Sequence, residues 1–169
     1  MATKIKFAKI RPDAIVPSKR KEDAGWDVFA NFEENWIEIP PFQSRKIPTG
    51  IASALEHGWC FKFEERSSTG IKNMMVNAGV IDEGYRGEWL VCIYNANDVP
   101  LFISKIGPTG EQSPLAETPN GILHPYSKAI AQALLKEVPE ADEEVVDYEE
   151  LLKQGSERGT AGFGSTDKN

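Results

Sequence analysis

The sequence predicts an all-β domain of the sandwich or jelly-roll kind, and three observations predict it. Short alternating or β-rich runs recur along most of the chain. Pro, Gly and Asn punctuate them. Only two stretches have the caps and spacing of a helix, and both are short. No internal repeat is visible.

Taken in order, IKFAKI from Ile5, WDVFA from Trp26, WIEIP from Trp36, RKIPTGIA from Arg45, WCFKFEE from Trp59 and EWLVCIYNA from Glu88 predict antiparallel strands. SSTGIKNMM from Ser67, opened by a serine cap, and VDYEELLKQ from Val146 predict the helical pieces. FISKIGPTGEQSPLAETPNGILHPYS, rich in Pro, Gly and Ser, predicts a long surface loop over about 100–127. The organisation expected is a β domain over 1–136, an acidic connector over 137–157 and a glycine-rich terminal segment over 158–169.

Composition narrows the function. A chain of 169 residues with 40% apolar residues can build one core without disulfides. Cys60 and Cys92 lack metal-ligand spacing and predict thiols in a reducing compartment. No run reaches the length of a membrane span, and MATKIKFAKIRPDAIVP lacks the apolar core of a signal peptide, so the expected place is the cytoplasm. A net charge of −7 argues against a protein that coats nucleic acid, because such binding is driven by cations displacing counterions. A phosphate would have to be met locally, by arginines set among Gly and Ser such as Arg66, Arg86 and Arg158.

Two stretches carry candidate chemistry. In AGVIDEGYRGEW, a Val-Ile pair delivers Asp82 to a turn containing Gly84, which predicts a hairpin with Asp82 and Tyr85 at its tip. Asp and Gly also serve such a turn for its own sake; the functional reading is a carboxylate placed to take a proton from water. In EERSSTGIKN, Arg66 and two hydroxyls stand at a helix start, either as a phosphate cradle or with Ser68 simply as the cap.

With DAGWDVFA, AIAQALL and ERGTAGFGST, these stretches resemble in order the five motifs of the trimeric dUTPase family, whose patterns run approximately AGxD, RSS or RSG, GVIDxxYRGE, GDRIAQ and RGxxGFGST. The resemblance covers nearly the whole chain from Ile5 onward, and the long loop after the third motif resembles a bacterial or phage-type variant. It implies a distorted β jelly roll, a homotrimer with a C-terminal arm, and Mg²⁺-assisted hydrolysis of dUTP to dUMP and pyrophosphate, which limits uracil in DNA and supplies dUMP for dTTP synthesis.

Residue by residue, the resemblance makes Asp82 the carboxylate that activates the attacking water and Tyr85 the ring under the deoxyribose. Arg66, Ser67, Ser68 and Gly70 match the phosphate-binding turn, Gln132 the glutamine on the phosphate chain, and Asp27 the carboxylate that holds the metal through water. Asn77 and Gly79 match the segment that reads uracil. In the tail, Phe163 resembles the ring that stacks on uracil, Arg158, Ser165 and Thr166 the γ-phosphate contacts, and Gly164 a point of close backbone approach.

The fourth motif departs from the pattern: YSKAIAQ has Lys128 and Ala129 where the family has Asp-Arg. Glu65 stands where an apolar residue or proline is frequent, the loop over 100–127 is long enough to meet a protein partner, and His57 and His124 read as surface or packing residues. The related dCTP deaminases share the fold, and a nucleotide-gated binding protein is a non-enzymatic alternative. Tyr85 and the GFGST tail favour the hydrolase.

Overall fold

Trp89 sits at the centre of the core. It is fully buried, its indole Nε1 donates to Ser53 Oγ at 3.0 Å, and its ring meets those of Phe7, Phe61 and Phe63 at centroid distances of 5.6, 5.0 and 5.3 Å. Edge-on aromatic packing of this kind buries large area in a fixed geometry. The elements around it belong to a computed structural model that describes residues 3–160. The chain divides into two compact units, Met1–Pro139 and Glu140–Asn169.

The first unit holds β1 (Ile5–Lys9), β2 (Gly25–Val28), β3 (Trp36–Ile39), β4 (Ser44–Pro48), β5 (Ile51–Leu55) and β6 (Trp59–Glu64). A single helical turn, α1 (Ser67–Gly70), precedes β7 (Met74–Asn77), β8 (Val80–Ile81), β9 (Leu90–Asn95), β10 (Leu101–Ser104), β11 (Ile122–Pro125) and β12 (Ala131–Glu137). They form four small sheets, ordered β1-β5, β11-β10-β3, β2-β12-β6-β8 and β4-β9-β7, wrapped around one apolar cluster in an all-β, jelly-roll-like arrangement. The second unit, described on its own, carries α2 (Tyr148–Lys153), with Asp147 at its N-cap, Glu149 and Glu150 in its first turn and Lys153 in its last. That charge order complements the helix dipole.

All six runs read as strands contain strands, and the differences lie in how they are joined. RKIPTGIA is two strands: the chain turns between β4 and β5 at Gly50, whose φ of +67° suits glycine, and so passes from one sheet to another. The helix expected through Met75 stops at Gly70. Asn73 takes φ +53° and Met74 then enters β7 opposite Asn95, fully buried.

The segment over 100–127 is not a loop throughout. β10, buried at every residue, pairs with β3 on one side and with β11 on the other. The β10–β11 pair is parallel, against the all-antiparallel expectation. A parallel pair needs a crossover of about a dozen residues or more, which the Pro/Gly-rich stretch between Lys105 and Gly121 supplies.

The expected hairpin around Asp82 is also corrected. β8 pairs only with β6, whereas β7 and β9 pair with each other in a different sheet, so the segment from Asn77 to Leu90 crosses between sheets. Ala78, at φ +50°, turns the chain out of β7, and the burial of Trp89 pulls it into the core before β9. Core packing outweighs local hairpin pairing here.

Candidate functional site

Three strands bring three motifs to one place. On β12, Gln132 lies opposite Asp27 of β2 on one side and opposite Glu64 of β6 on the other. β6 ends at Glu64, so Arg66 emerges beside both. Gln132 Nε2 donates to the Glu65 carbonyl at 2.8 Å, and Glu65 Oε1 accepts from Val76 N at 2.7 Å, which ties the end of β6 to β7. The unusual Glu65 is thus a structural link.

The Arg66 guanidinium grips Asp27 with two nitrogens, Nε to Oδ1 at 2.8 Å and Nη2 to Oδ2 at 3.3 Å. Arg66 itself caps α1, and Thr69 closes the turn by accepting from Arg66 N at 2.9 Å and donating to Arg66 O at 3.0 Å. Ser68 is therefore not the cap. Ser67 and Ser68 are exposed, with their hydroxyls facing a cleft of about 740 Å³ that Asp27, Arg66 and Gln132 also line. Gly70 is exposed and does not line it.

Ser18, Lys19, Arg20, Asp23 and Ala24, before β2, also line the cleft. Arg20 Nη2 and Nε reach the two oxygens of Asp23 at 2.8 and 2.9 Å, and this pairing draws the Asp23 carboxyl down to about 2. Lys19 donates to the Asp23 carbonyl at 2.6 Å and sits 5.0 Å from the Trp26 ring centroid. Lys19 and Arg20 escaped sequence reasoning, and Asp23 was read only as the start of its motif; the signal for the first two is the basic run SKRK, one residue before DAGWD.

Asp82 lies elsewhere. The register places Ile81 opposite Phe61, so Asp82 comes beside Cys60, and burial, followed by the charge of Asp82, pushes the Cys60 thiol up. Tyr85 N donates to the Asp82 carbonyl at 3.1 Å, closing a turn that leaves both side chains exposed. Tyr85 OH donates to Glu88 O at 3.1 Å, and its ring lies over Gly87, where a Cβ would stand 2.6 Å from Cζ. A Cβ there would push the exposed ring off its bond to Glu88 O. Glu83 anchors the turn by accepting from Gly58 N at 2.7 Å and from His57 Nδ1 at 2.9 Å, which also holds Glu83 below the usual carboxylate range. Asn77 is exposed at the end of β7, and the Gly79 carbonyl accepts from Phe63 N at 2.7 Å.

The chain thus gathers Asp27, Arg66, Ser67, Ser68 and Gln132 into one cleft that none of Asn77, Gly79, Asp82 and Tyr85 lines. Cys60 and Glu64 are four residues apart along β6, so Asp82 and the Gln132 level are separated by about 13 Å along the strand. Arg158 falls in the second unit, and Phe163, Gly164, Ser165 and Thr166 lie outside the described residues.

The dUTPase family model matches residues 12–107, more than half of the chain. The chain belongs to the dUTPase family. A deoxyuridine 5'-triphosphate nucleotidohydrolase of Nautilia profundicola is 31% identical over 98% of this chain and 99% of its own length, and one of Leptospira interrogans is 29% identical over 96% and 98%. Among solved structures, the Staphylococcus bacteriophage 80alpha dUTPase with dUPNHPP overlays with a TM-score of 0.71 at 21% identity, covering 96% of this chain and 97% of that one. A mutant dUTPase of the S. aureus phage phi11, described as coordinating a structural Mg(II) ion, overlays at 0.64 with 18% identity, covering 86% and 99%. These overlays show the dUTPase fold.

The cleft of this dUTPase-family chain suits a hydrated cation. Among the described residues no three His, Cys, Asp or Glu side chains cluster to cage a metal, and the cleft presents the carboxylates of Asp27 and Asp23 beside hydroxyl and guanidinium groups suited to phosphate. Magnesium is commonly held this way, by one or two carboxylates, water and substrate phosphates. No helix among the described residues is long and apolar enough to cross a membrane.

Proposed function

We propose that the chain hydrolyses dUTP to dUMP and pyrophosphate, with the phosphates in the Arg66 cleft and the water activated by Asp82. The observation that carries this reading is the strand register, which lines up Asp27, Gln132 and the end of β6 at one cleft and leaves Asp82 and Tyr85 on an exposed turn. Arg66, Ser67, Ser68 and Gln132 donate to the phosphate oxygens, and Asp27 is the carboxylate that would hold Mg²⁺, through water. The cation, when bound, offsets the charge of the triphosphate. The carboxylate of Asp82 takes the proton of a water whose oxygen bonds to the α-phosphorus, and the bond to the α,β-bridging oxygen breaks to release pyrophosphate.

Tyr85, fixed by its bond to Glu88 O, forms the wall that excludes a 2′-hydroxyl, and Asn77 and Gly79 read the uracil edge. Gly70 gives the phosphate turn its small profile. In the tail, Phe163 stacks on the base, Gly164 admits the close backbone, and Arg158, Ser165 and Thr166 meet the γ-phosphate. The reaction takes place on the cytoplasmic nucleotide pool.

A separation of about 13 Å between Asp82 and the Gln132 level exceeds the ~3 Å reach that proton transfer requires. We infer that a complete site pairs the Asp82 turn of one copy with the Arg66 cleft of another, in a homotrimer. The test is pyrophosphate release from dUTP, UTP, dTTP and dCTP with and without Mg²⁺. Release from dUTP alone, and with Mg²⁺, is expected; a uracil nucleotide formed from dCTP would show a deaminase instead.

A further inference from the structure

We propose that a second hollow, adjoining the cleft on the far side of Arg66, is a binding site for hydrogen phosphate. It encloses about 630 Å³ and is bounded by Lys72, His124, Ser127 and Lys128, with Asp27, Arg66 and Ser68 shared between hollow and cleft. Its one carboxylate is Asp27, already gripped by Arg66, so the remaining charge is that of two lysines. Lys72, His124, Ser127 and Lys128 belong to the hollow alone, whereas Asp27, Arg66 and Ser68 also line the cleft, so the site borders on the proposed function there.

His124 supplies the second, independent observation. It is 1% exposed on β11, opposite Ile103, and its Nδ1 has no hydrogen-bond partner. Its Nε2 faces the Lys128 carbonyl at 3.4 Å. A carbonyl only accepts, so Nε2 carries the ring proton and Nδ1 presents a bare lone pair. Burial first, and then the charges of Lys72 and Arg66, hold the imidazole below its ordinary value and hence neutral. A buried acceptor left unpaired is costly and awaits a donor.

Lys72 adds the complementary need. Its Nζ donates to the Leu123 carbonyl at 3.1 Å, which leaves two N–H groups, and burial pushes the ammonium down. An anion would stabilise the charged form. The ligand these groups fit must accept from lysines and also donate to a neutral imidazole. Hydrogen phosphate does both, with bare oxygens for Lys72 and Lys128 and one O–H for Nδ1. Sulfate, fully deprotonated at neutral pH, can accept but cannot donate. The Lys128 that distinguishes this chain's fourth motif carries the selectivity for an anion, since an Asp at that position would repel one.

Titration calorimetry of the full chain with inorganic phosphate and with sulfate, free and saturated with a non-hydrolysable dUTP analogue, tests the site. Phosphate is expected to bind in both states, and sulfate roughly tenfold more weakly, the effect of one unmade buried hydrogen bond. Lys128→Ala should weaken phosphate while leaving dUTP turnover in place, and His124→Phe should abolish the preference for phosphate over sulfate. If His124→Phe fails to fold, the Lys128 variant and the two anions on the parent protein decide the matter. Complete displacement of phosphate by the analogue would put the ion in the catalytic cleft; that result, equal binding of sulfate, unaltered phosphate binding by Lys128→Ala, or no phosphate binding at all would overturn the proposal.

Discussion

The two ends of β6 are built differently. Beyond Glu64 the groups are paired and interlocked: Arg66 on Asp27, Gln132 on the Glu65 carbonyl, and Glu65 on Val76. Beside Cys60, Asp82 stands on an exposed turn that is fastened from behind, by Glu83 to Gly58 and His57 and by Tyr85 to Glu88. On the proposed function, one end holds the polyanion and the other presents a base and a wall. The difference teaches that one strand carries an interlocked, charged cleft at one end and an exposed turn at the other, which under the proposed function divides binding from proton transfer. On that function, neither end is a site alone.

Removing the base should have the largest effect. Asp82→Asn keeps the turn, because the Tyr85 N–H bonds to the Asp82 backbone carbonyl, but deletes the proton acceptor; turnover should fall by ~10²–10⁴ while an unhydrolysed dUTP analogue still binds. Near-normal turnover would remove Asp82 from the mechanism. A smaller change is expected at the wall. Tyr85→Ala opens room for a 2′-hydroxyl, so the preference for dUTP over UTP should shrink by roughly 10–10²-fold in kcat/KM, and an unaltered ratio would place selectivity elsewhere.

The smallest effect concerns the cleft's outer wall. With its folded-state pKa held at about 2 by Arg20, against an ordinary 3.8, Asp23 contributes to loop stability above about pH 4, and that contribution fades as pH falls toward 2. A carbon-detected NMR titration should find the Asp23 midpoint near 2, and Arg20→Gln should return it toward 3.8. A midpoint that ignores the substitution would dissolve the Arg20–Asp23 pair.

The sequence revealed strands where apolar alternation faced a core, as in WCFKFEE and EWLVCIYNA, and it revealed motifs because their residues are contiguous. Pairings between distant segments were hidden. Nothing local in FISK and ILHP says that they align in parallel across a Pro/Gly-rich excursion, and nothing in GVIDEGYRGE says that its flanks belong to different sheets. The same limit governed the site. Asp27, Arg66 and Gln132 could be named one by one, but their meeting depends on the β2–β12–β6 register, and the distance of Asp82 from them depends on β8 pairing with the other end of β6. Lys19 and Arg20 pair locally, with Asp23 and Trp26, but that they line the cleft depends on β2 lying beside β12, and only a basic run, SKRK, marks them; His124 meets Lys72, far along the chain, across the hollow.

The central claim is that a working site takes Asp82 from one copy and Arg66 from another, and mixing two disabled proteins tests it most directly. Asp82→Asn and Arg66→Ala chains, each nearly inactive alone, are combined one to one and allowed to exchange subunits, with mixed assemblies verified by native mass spectrometry. In a symmetric oligomer with shared sites, about one site in four should unite an intact Asp82 with an intact Arg66, restoring roughly a quarter of the parent activity. Mixed assemblies that stay as inactive as the two separate variants would show that both residues serve the same chain's site, and the division of labour along β6 would be wrong.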